Sequence, residues 1–351
     1  MALTRRRLLK AAAFAAASGL VPARVRAQVL AEVRVAGPPL ASNIGVYLAE
    51  ELGFFKDKGI RMKYDTAVSA AELMAFLAAG RLDVGLGGVG ASTFNAILRG
   101  MDLKYVANKG IYLPGIPNSA TFLVRKDLYE KGVRTIKDLK GKKFAINLPA
   151  SVTHFHMSKG LEKNGLSESD VEMVTMSFPD MVKAFQTKAI DAGEEVEPFV
   201  SASVAQGLAV SIADFGELFP YQEYAGVLFA GSFITGKREL AFGFIEAYVR
   251  GLHKYYELTP YHDTVVSTLE KYTRQKKEVL KKIIPPWIEI NGAVNVESLN
   301  EQQEWFVKRG FVKEKADLAK LVDQRFLKAA WDKLGKKENP GKEYWEKMKG
   351  S

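Results

Sequence analysis

Charged and apolar residues alternate through Glu32–Ala36, which predicts a short strand. Gly37-Pro38-Pro39 breaks it. Ser42 or Asn43 is then placed to cap a helix from about Ile44 to Leu52, which Gly53 ends. After Phe54, Phe55 and a polar turn comes a second strand candidate, Arg61 to Tyr64. Ser69 stands at the cap position of a helix from about Ala70 to Ala79, ended by Gly80. Leu82 to Leu86 has the composition of a short buried strand. Gly87-Gly88-Val89-Gly90 follows, and a helix from about Ser92 to Leu98.

A second block repeats the plan. Lys143 to Asn147 reads as a strand and Leu148 to Thr153 as a loop, followed by a helix from about His154 to Asn164. Pro179 opens another helix, to about Thr187, and Ile190 to Gly193 closes the unit. AFLAAGRLDVG (Ala75–Gly85) and AFQTKAIDAG (Ala184–Gly193) echo one another: a helix end, an aspartate, then a glycine two residues later. Strand–helix alternation of this kind predicts an α/β fold with parallel strands. The echo predicts two lobes built on one unit. Two extended apolar segments, Thr121 to Lys126 and Gly226 to Ile234, read as strands crossing between the lobes, a two-strand hinge suited to closure. The expected division is 28–120 plus 233–351 for one lobe and 121–232 for the other. The remainder, from about Lys237, is helical by period, with a break at Pro285-Pro286.

The first 27 residues have a different pattern. A basic cluster, Thr4-Arg5-Arg6-Arg7-Leu8-Leu9-Lys10, precedes an alanine-rich apolar run and then Val25-Arg26-Ala27. This is the plan of a cleaved export signal, and the paired arginines resemble the twin-arginine motif. The expected mature chain starts near Gln28 and is extracytoplasmic, in the periplasm. The apolar run is about half the ~20 residues a spanning helix needs, and no longer one follows. The formal charge is +10, of which the leader supplies six basic residues and no acid. Residues 308–349 hold 13 basic and 7 acidic residues, so the rest of the mature chain is slightly acidic. A nucleic-acid partner would want a basic working face, so none is expected. The chain has no cysteine, which excludes disulfides, thiol nucleophiles and thiolate metal sites.

Four segments carry a family resemblance in order. NIGVYLAEELGFFKDKGI (Asn43–Ile60) resembles the opening helix of the nitrate/sulfonate/taurine-binding proteins, a family that includes THI5-like pyrimidine binders. LAAGRLDVGLGGVGAST (Leu77–Thr93), TIKDLKGKKFAI (Thr135–Ile146) and IDAGEEVEPF (Ile190–Phe199) are similar to its later signatures. The resemblance implies a two-lobed periplasmic-binding-protein fold of type II, with the ligand cleft between the lobes. It also implies service to an ABC permease and ATPase, as a monomer, with no cofactor and no metal.

In α/β sheets ligands bind beyond the carboxyl ends of strands, and helix N-termini attract anions. This rule nominates Pro39, Ser42 and Asn43 after the first strand. It nominates Gly88, Gly90, Ser92 and Thr93 in the glycine-rich loop, and Ser151, Thr153 and His154 in the facing lobe. The glycines equally suit a tight turn, and the hydroxyls equally suit helix caps. Glu194, Glu195 and Glu197 crowd one loop beside Pro198, and Glu195 and Glu197 are candidates for an ammonium or ring N–H. Tyr112 and Phe178 are candidates for stacking, although most such aromatics are packed. His154 and His156, two apart on a helix, point in different directions and suit no shared metal.

The leading expectation is a non-enzymatic receptor for a small solute, either a sulfonate or taurine-like molecule or a related nitrogenous one. An enzyme on the same fold is the first alternative. THI5-like pyrimidine synthases carry a cysteine-rich motif that this chain lacks, and no Gly-x-Ser-x-Gly, His-Glu-x-x-His or Walker motif is present. A ligand-sensing domain is the second alternative, weakened by the lack of a membrane span.

Overall fold

The strand signals become two five-stranded sheets in the computed structural model, which describes residues 29–66, 70–341 and 343–344. The leader and the Ser69 cap lie outside the described residues. The strands are β1 (Ala31–Gly37), β2 (Ile60–Thr66), β3 (Val84–Gly87), β4 (Leu103–Ile111), β5 (Ala120–Arg125), β6 (Lys143–Ile146), β7 (Glu172–Thr175), β8 (Ala192–Val196), β9 (Ala209–Ser211) and β10 (Glu223–Ala230). One sheet has the order β2-β1-β3-β10-β4 and the other β7-β6-β8-β5-β9. In each, three strands are parallel and a fourth, β10 or β5, runs antiparallel beside the third. The two halves therefore share one strand order, and each sheet forms the centre of a lobe.

The sequence echo marks the third strand of each sheet. Asp83 precedes β3 and Asp191 precedes β8. Asp83 Oδ2 accepts the backbone N–H of Arg34 in β1 at 2.8 Å, and Asp191 Oδ2 accepts that of Lys143 in β6 at 3.0 Å. A guanidinium seals each carboxylate: Arg34 Nε at 3.0 Å on Asp83 and Arg125 Nη1 at 3.1 Å on Asp191. The repeated aspartate thus ties the central strand of each sheet to its neighbour, using charge-assisted bonds, which are the stronger kind.

The two expected crossing strands are placed differently. Thr121–Arg125 lies wholly inside the second sheet, and β10 pairs along its whole length inside the first. The chain passes between sheets through 112–119 and 212–222. The strand expected from Gly226 to Ile234 stops at Ala230, and a helix follows over Gly231–Gly236. The boundary expected at 232 therefore falls before residue 223, since apolar composition marks a buried strand without saying which sheet holds it.

Helices cover the sheets: α1 (Ile44–Glu51), α2 (Ala70–Ala78), α3 (Ala91–Leu98), α4 (Val152–Lys163), α5 (Phe178–Gln186), α6 (Phe199–Ala205), α7 (Arg238–Leu258), α8 (Val296–Lys308) and α9 (Arg325–Leu334). Asn43 does not cap α1; no side-chain cap bond forms, and its amide turns back to donate to Pro38 O at 2.7 Å. α1 and α7 cross in direct backbone contact, where an added Cβ on Gly251 would lie 2.0 Å from Gly45 O. Gly251→Val should therefore destabilise the protein by about 3 kcal/mol or more, because backbone cannot step aside as a side chain can. Urea unfolding checks this, and an unchanged midpoint would show that the crossing is loose.

Candidate functional site

The carboxyl ends of β1 and β3 face the α4 and β8 end of the other lobe, and the loops there touch. Ala41 N donates to Glu197 O at 3.0 Å, and Ala91 N donates to Ala150 O at 2.9 Å. Both are N–H groups that an anion at a helix N-terminus would have used. Glycine makes the approach possible: an added Cβ on Gly90 would lie 3.0 Å from Ala150 O, and one on Gly88 3.0 Å from Val152 Cγ1.

Behind these contacts lies a cavity of about 70 Å³, walled by both lobes. A water needs roughly 10–15 Å³ by the same measure, so the space holds a few waters or one small solute. Pro38, Leu40, Leu73, Leu86, Gly87, Gly88, Lys109, Tyr112, Tyr224 and Ala225 come from the first lobe and its connection; Asn147, Ser151, Val152, Thr153, Phe178, Glu194 and Val196 come from the second. The wall is mostly apolar, with two charged groups.

Lys109 reaches the cavity because of a bulge. Gly226 pairs with Asn108 and Ala225 with Gly110, so Lys109 is the extra, unpaired residue of β4. Such bulges re-aim a side chain. Gly110 completes the arrangement, since an added Cβ would fall 2.1 Å from the Tyr224 ring. Lys109 Nζ is fully buried and donates to Ser42 Oγ at 2.9 Å. Burial pulls its pKa down to about 7. The described residues give it no carboxylate partner within 4 Å.

Glu194 faces it from the second lobe. Its Oε1 lies 2.8 Å from His156 Nδ1, and His156 Nε2 lies 2.9 Å from the Gln222 amide nitrogen. The amide can only donate, so Nε2 accepts and Nδ1 carries the proton towards Glu194. Burial pushes the Glu194 carboxyl up, and His156 opposes this. Glu194 Oε2 is buried and has no hydrogen-bond partner.

Of the twelve residues nominated from sequence, Gly88, Ser151 and Thr153 line the cavity. Ser151 Oγ bonds Leu148 O at 2.5 Å and Thr153 Oγ1 at 2.9 Å, and Thr153 Oγ1 accepts Asn147 N–H, so both hydroxyls shape their own loop. Ser42 stands one layer back, holding Lys109. Asn43 likewise stands behind the wall, pinning the Pro38 loop with Tyr47 and Tyr64. Pro39, Gly90, Ser92 and Thr93 are not in the wall; Gly90 instead serves the contact between lobes. His154 faces away: its Nδ1 accepts Ala150 N–H, its Nε2 lies 3.3 Å from Glu168, and its ring packs on Trp305.

The three glutamates separate because β8 continues to Val196, and side chains alternate along a strand. Glu195 points to the other face and is fully buried without a partner, with its carboxyl pushed well up by burial and then by Glu197 and Glu194. Glu197 accepts Ser201 N–H, Ser201 Oγ–H and Ile284 N–H, anchoring α6. Burial raises its pKa to about 7 against those bonds. Lys109 and Tyr224 were not nominated. The available signal is a lysine followed by glycine in Leu103–Ile111, a run that also holds Lys104 and Asn108.

Comparison with known proteins follows this geometry. The family model described as NMT1/THI5 like matches residues 41–258. An aliphatic sulfonates-binding protein of Escherichia coli (strain K12) is 28% identical over 174 residues, 47% of this chain and 52% of that protein. The chain thus spans about half the length of the curated relative it matches. Among solved structures, the alkanesulfonate-binding protein SsuA from Xanthomonas axonopodis pv. citri bound to MOPS is similar with a TM-score of 0.68 at 20% identity, over 84% of this chain and 98% of that one. The periplasmic nitrate-binding protein NrtA from Synechocystis PCC 6803 is similar with a TM-score of 0.74 at 13% identity, over 87% and 89%. At these identities the structural likeness is one of fold, the two-lobed α/β architecture described above. With the family model spanning more than half of its length, the chain belongs to the NMT1/THI5-like family.

Proposed function

We propose that this protein is an extracytoplasmic receptor that captures one small solute between its lobes and delivers it to the permease and ATPase of an ABC importer. The observation that carries the reading is the cavity walled by both lobes, with the buried Lys109 amine, which has no carboxylate within 4 Å among the described residues, inside it. A cavity made by two halves opens when they part, and each half alone offers only a partial site. The sulfonate- and nitrate-binding names of the similar proteins support the same reading. So does the leader, which fits export to the periplasm by the twin-arginine route. Action as a monomer fits a site completed within one chain.

The chemistry favours binding over catalysis. Both ring nitrogens of His156 are engaged, and the cavity hydroxyls of Ser151 and Thr153 bond to each other. No helix among the described residues is long and apolar enough to cross a membrane.

Three measurements test the reading. Thermal unfolding against nitrate, bicarbonate, alkyl sulfonates, amino acids, pyrimidines and aromatic acids should show stabilisation by one class. Ligand at a hundred times its dissociation constant adds about 2.7 kcal/mol. No shift with any class, in protein stripped of co-purified solute, would count against a receptor. Lys109→Met should abolish binding of that class yet raise the melting temperature of the ligand-free protein at pH 7, because it removes a buried, unpaired cation. A fall in melting temperature would mean that the lysine is compensated in the empty protein.

The third concerns pH. Glu197 and Glu223 have pKa values raised to about 7, both chiefly by burial. Between the ordinary value of 4.5 and about 7 the folded state holds more protons than the unfolded one, so their contribution falls as pH rises through that window. Lys109 works the other way, adding stability between about 7 and its ordinary 10.5. Calorimetry of the ligand-free protein should find the melting temperature falling from pH 5 to 7. A rise over that range would contradict the assignment of neutral buried glutamates.

A further inference from the structure

Resting on the receptor reading, we infer that the solute is a small zwitterion, its anionic end on Lys109 of the first lobe and its cationic end on Glu194 Oε2 of the second.

Three observations converge on this. Lysine has three donors, and Ser42 Oγ takes one of those of Lys109. The side chain is completely buried, and the bulge turns it into the cavity. Glu194 is as deeply buried and lines the same cavity. One of its oxygens is used by His156 and the other by nothing. The two groups are not paired with each other, since no ion pair joins them within 4 Å. The site therefore presents a cation with free donors on one lobe and a carboxylate with a free acceptor on the other.

A buried charge without a partner is costly, and a ligand gains most where it supplies the missing partner. A monoanion compensates Lys109 but leaves Glu194 unpaired and places like charges in one small space. A monocation has the converse fault. A solute with both charges satisfies both, and in doing so bridges the lobes. At two helix starts of the first lobe the leading N–H is already used, because Ala41 N and Ala91 N donate to carbonyls of the second lobe. Tyr112, Tyr224, Phe178 and Val196 provide the apolar wall, so a short hydrocarbon spacer fits. Burial pushes the Glu194 carboxyl up and His156 opposes this, and an ammonium seated against Oε2 would favour the carboxylate further. Were Glu194 protonated instead, it would donate, and the preference would switch to monoanions.

Isothermal titration of the solute-stripped protein with matched sets reads this directly: taurine against ethanesulfonate, β-alanine against propionate, and γ-aminobutyrate against butyrate, with ethylamine as the cation alone. The zwitterion of at least one set should bind tenfold or more tighter than its monoanion. Glu194→Gln should collapse that ratio towards one while unfolding at a similar temperature, and Lys109→Met should abolish both. A monoanion binding as tightly as its zwitterion would overturn the inference, as would a ratio unchanged in Glu194→Gln. If no member of the sets binds while nitrate or a pyrimidine does, the zwitterion fails and the receptor reading stands. If nothing in the wider panel binds, both fail.

Discussion

Lys109 is fully buried with no carboxylate within 4 Å among the described residues, and the cavity is arranged around that fact. Desolvating a charge is among the most expensive things a fold can do, and proteins usually pair the charge or neutralise it. Here a β-bulge pushes the lysine out of the strand ladder, Ser42 holds its tip, and Gly110 gives way to the ring of Tyr224. None of these features helps the sheet. They are intelligible if the missing partner arrives from outside, so that closing the lobes over an empty cavity is unfavourable and closing over the right solute is not.

The two lobes share one internal plan. Each sheet is tied at its centre by the same device, an aspartate before the third strand that grips the backbone of the first, with an arginine behind it. The two sheets therefore share this internal tie and differ in the loops at the carboxyl ends of their strands. Those loops meet through backbone hydrogen bonds, and Gly90 leaves room for the Ala150 carbonyl that takes part in one of them. The glycine-rich loop touches the second lobe at Gly90 and Ala91, and Lys109 and Glu194 line the cavity behind it.

Much of the fold was legible in the sequence. Strand–helix alternation marked the parallel strands, and the echo between Ala75–Gly85 and Ala184–Gly193 marked equivalent strands in the two sheets. The antiparallel strands were legible as buried but not as members of a particular sheet, because that depends on pairing between distant segments. The site was less legible. Glu194, Glu195 and Glu197 read as one acidic loop, yet the period of two along β8 sends them to three different environments. Lys109 was hidden for a related reason: a bulge exists only in the register of two strands more than a hundred residues apart. The rule that sites follow strands points to Ser151 and Thr153, which stand in the cavity wall with their hydroxyls bonded within their own loop.

The most direct test of this account is an NMR titration of the Lys109 side chain, with and without bound solute. The account predicts an apparent pKa of about 7 in the ligand-free, closed protein and a marked rise when an anionic group is seated against it. A lysine that titrates near its ordinary 10.5 in the empty protein would mean that the charge is solvated or already paired, and would contradict the claim that the cavity awaits a partner for it.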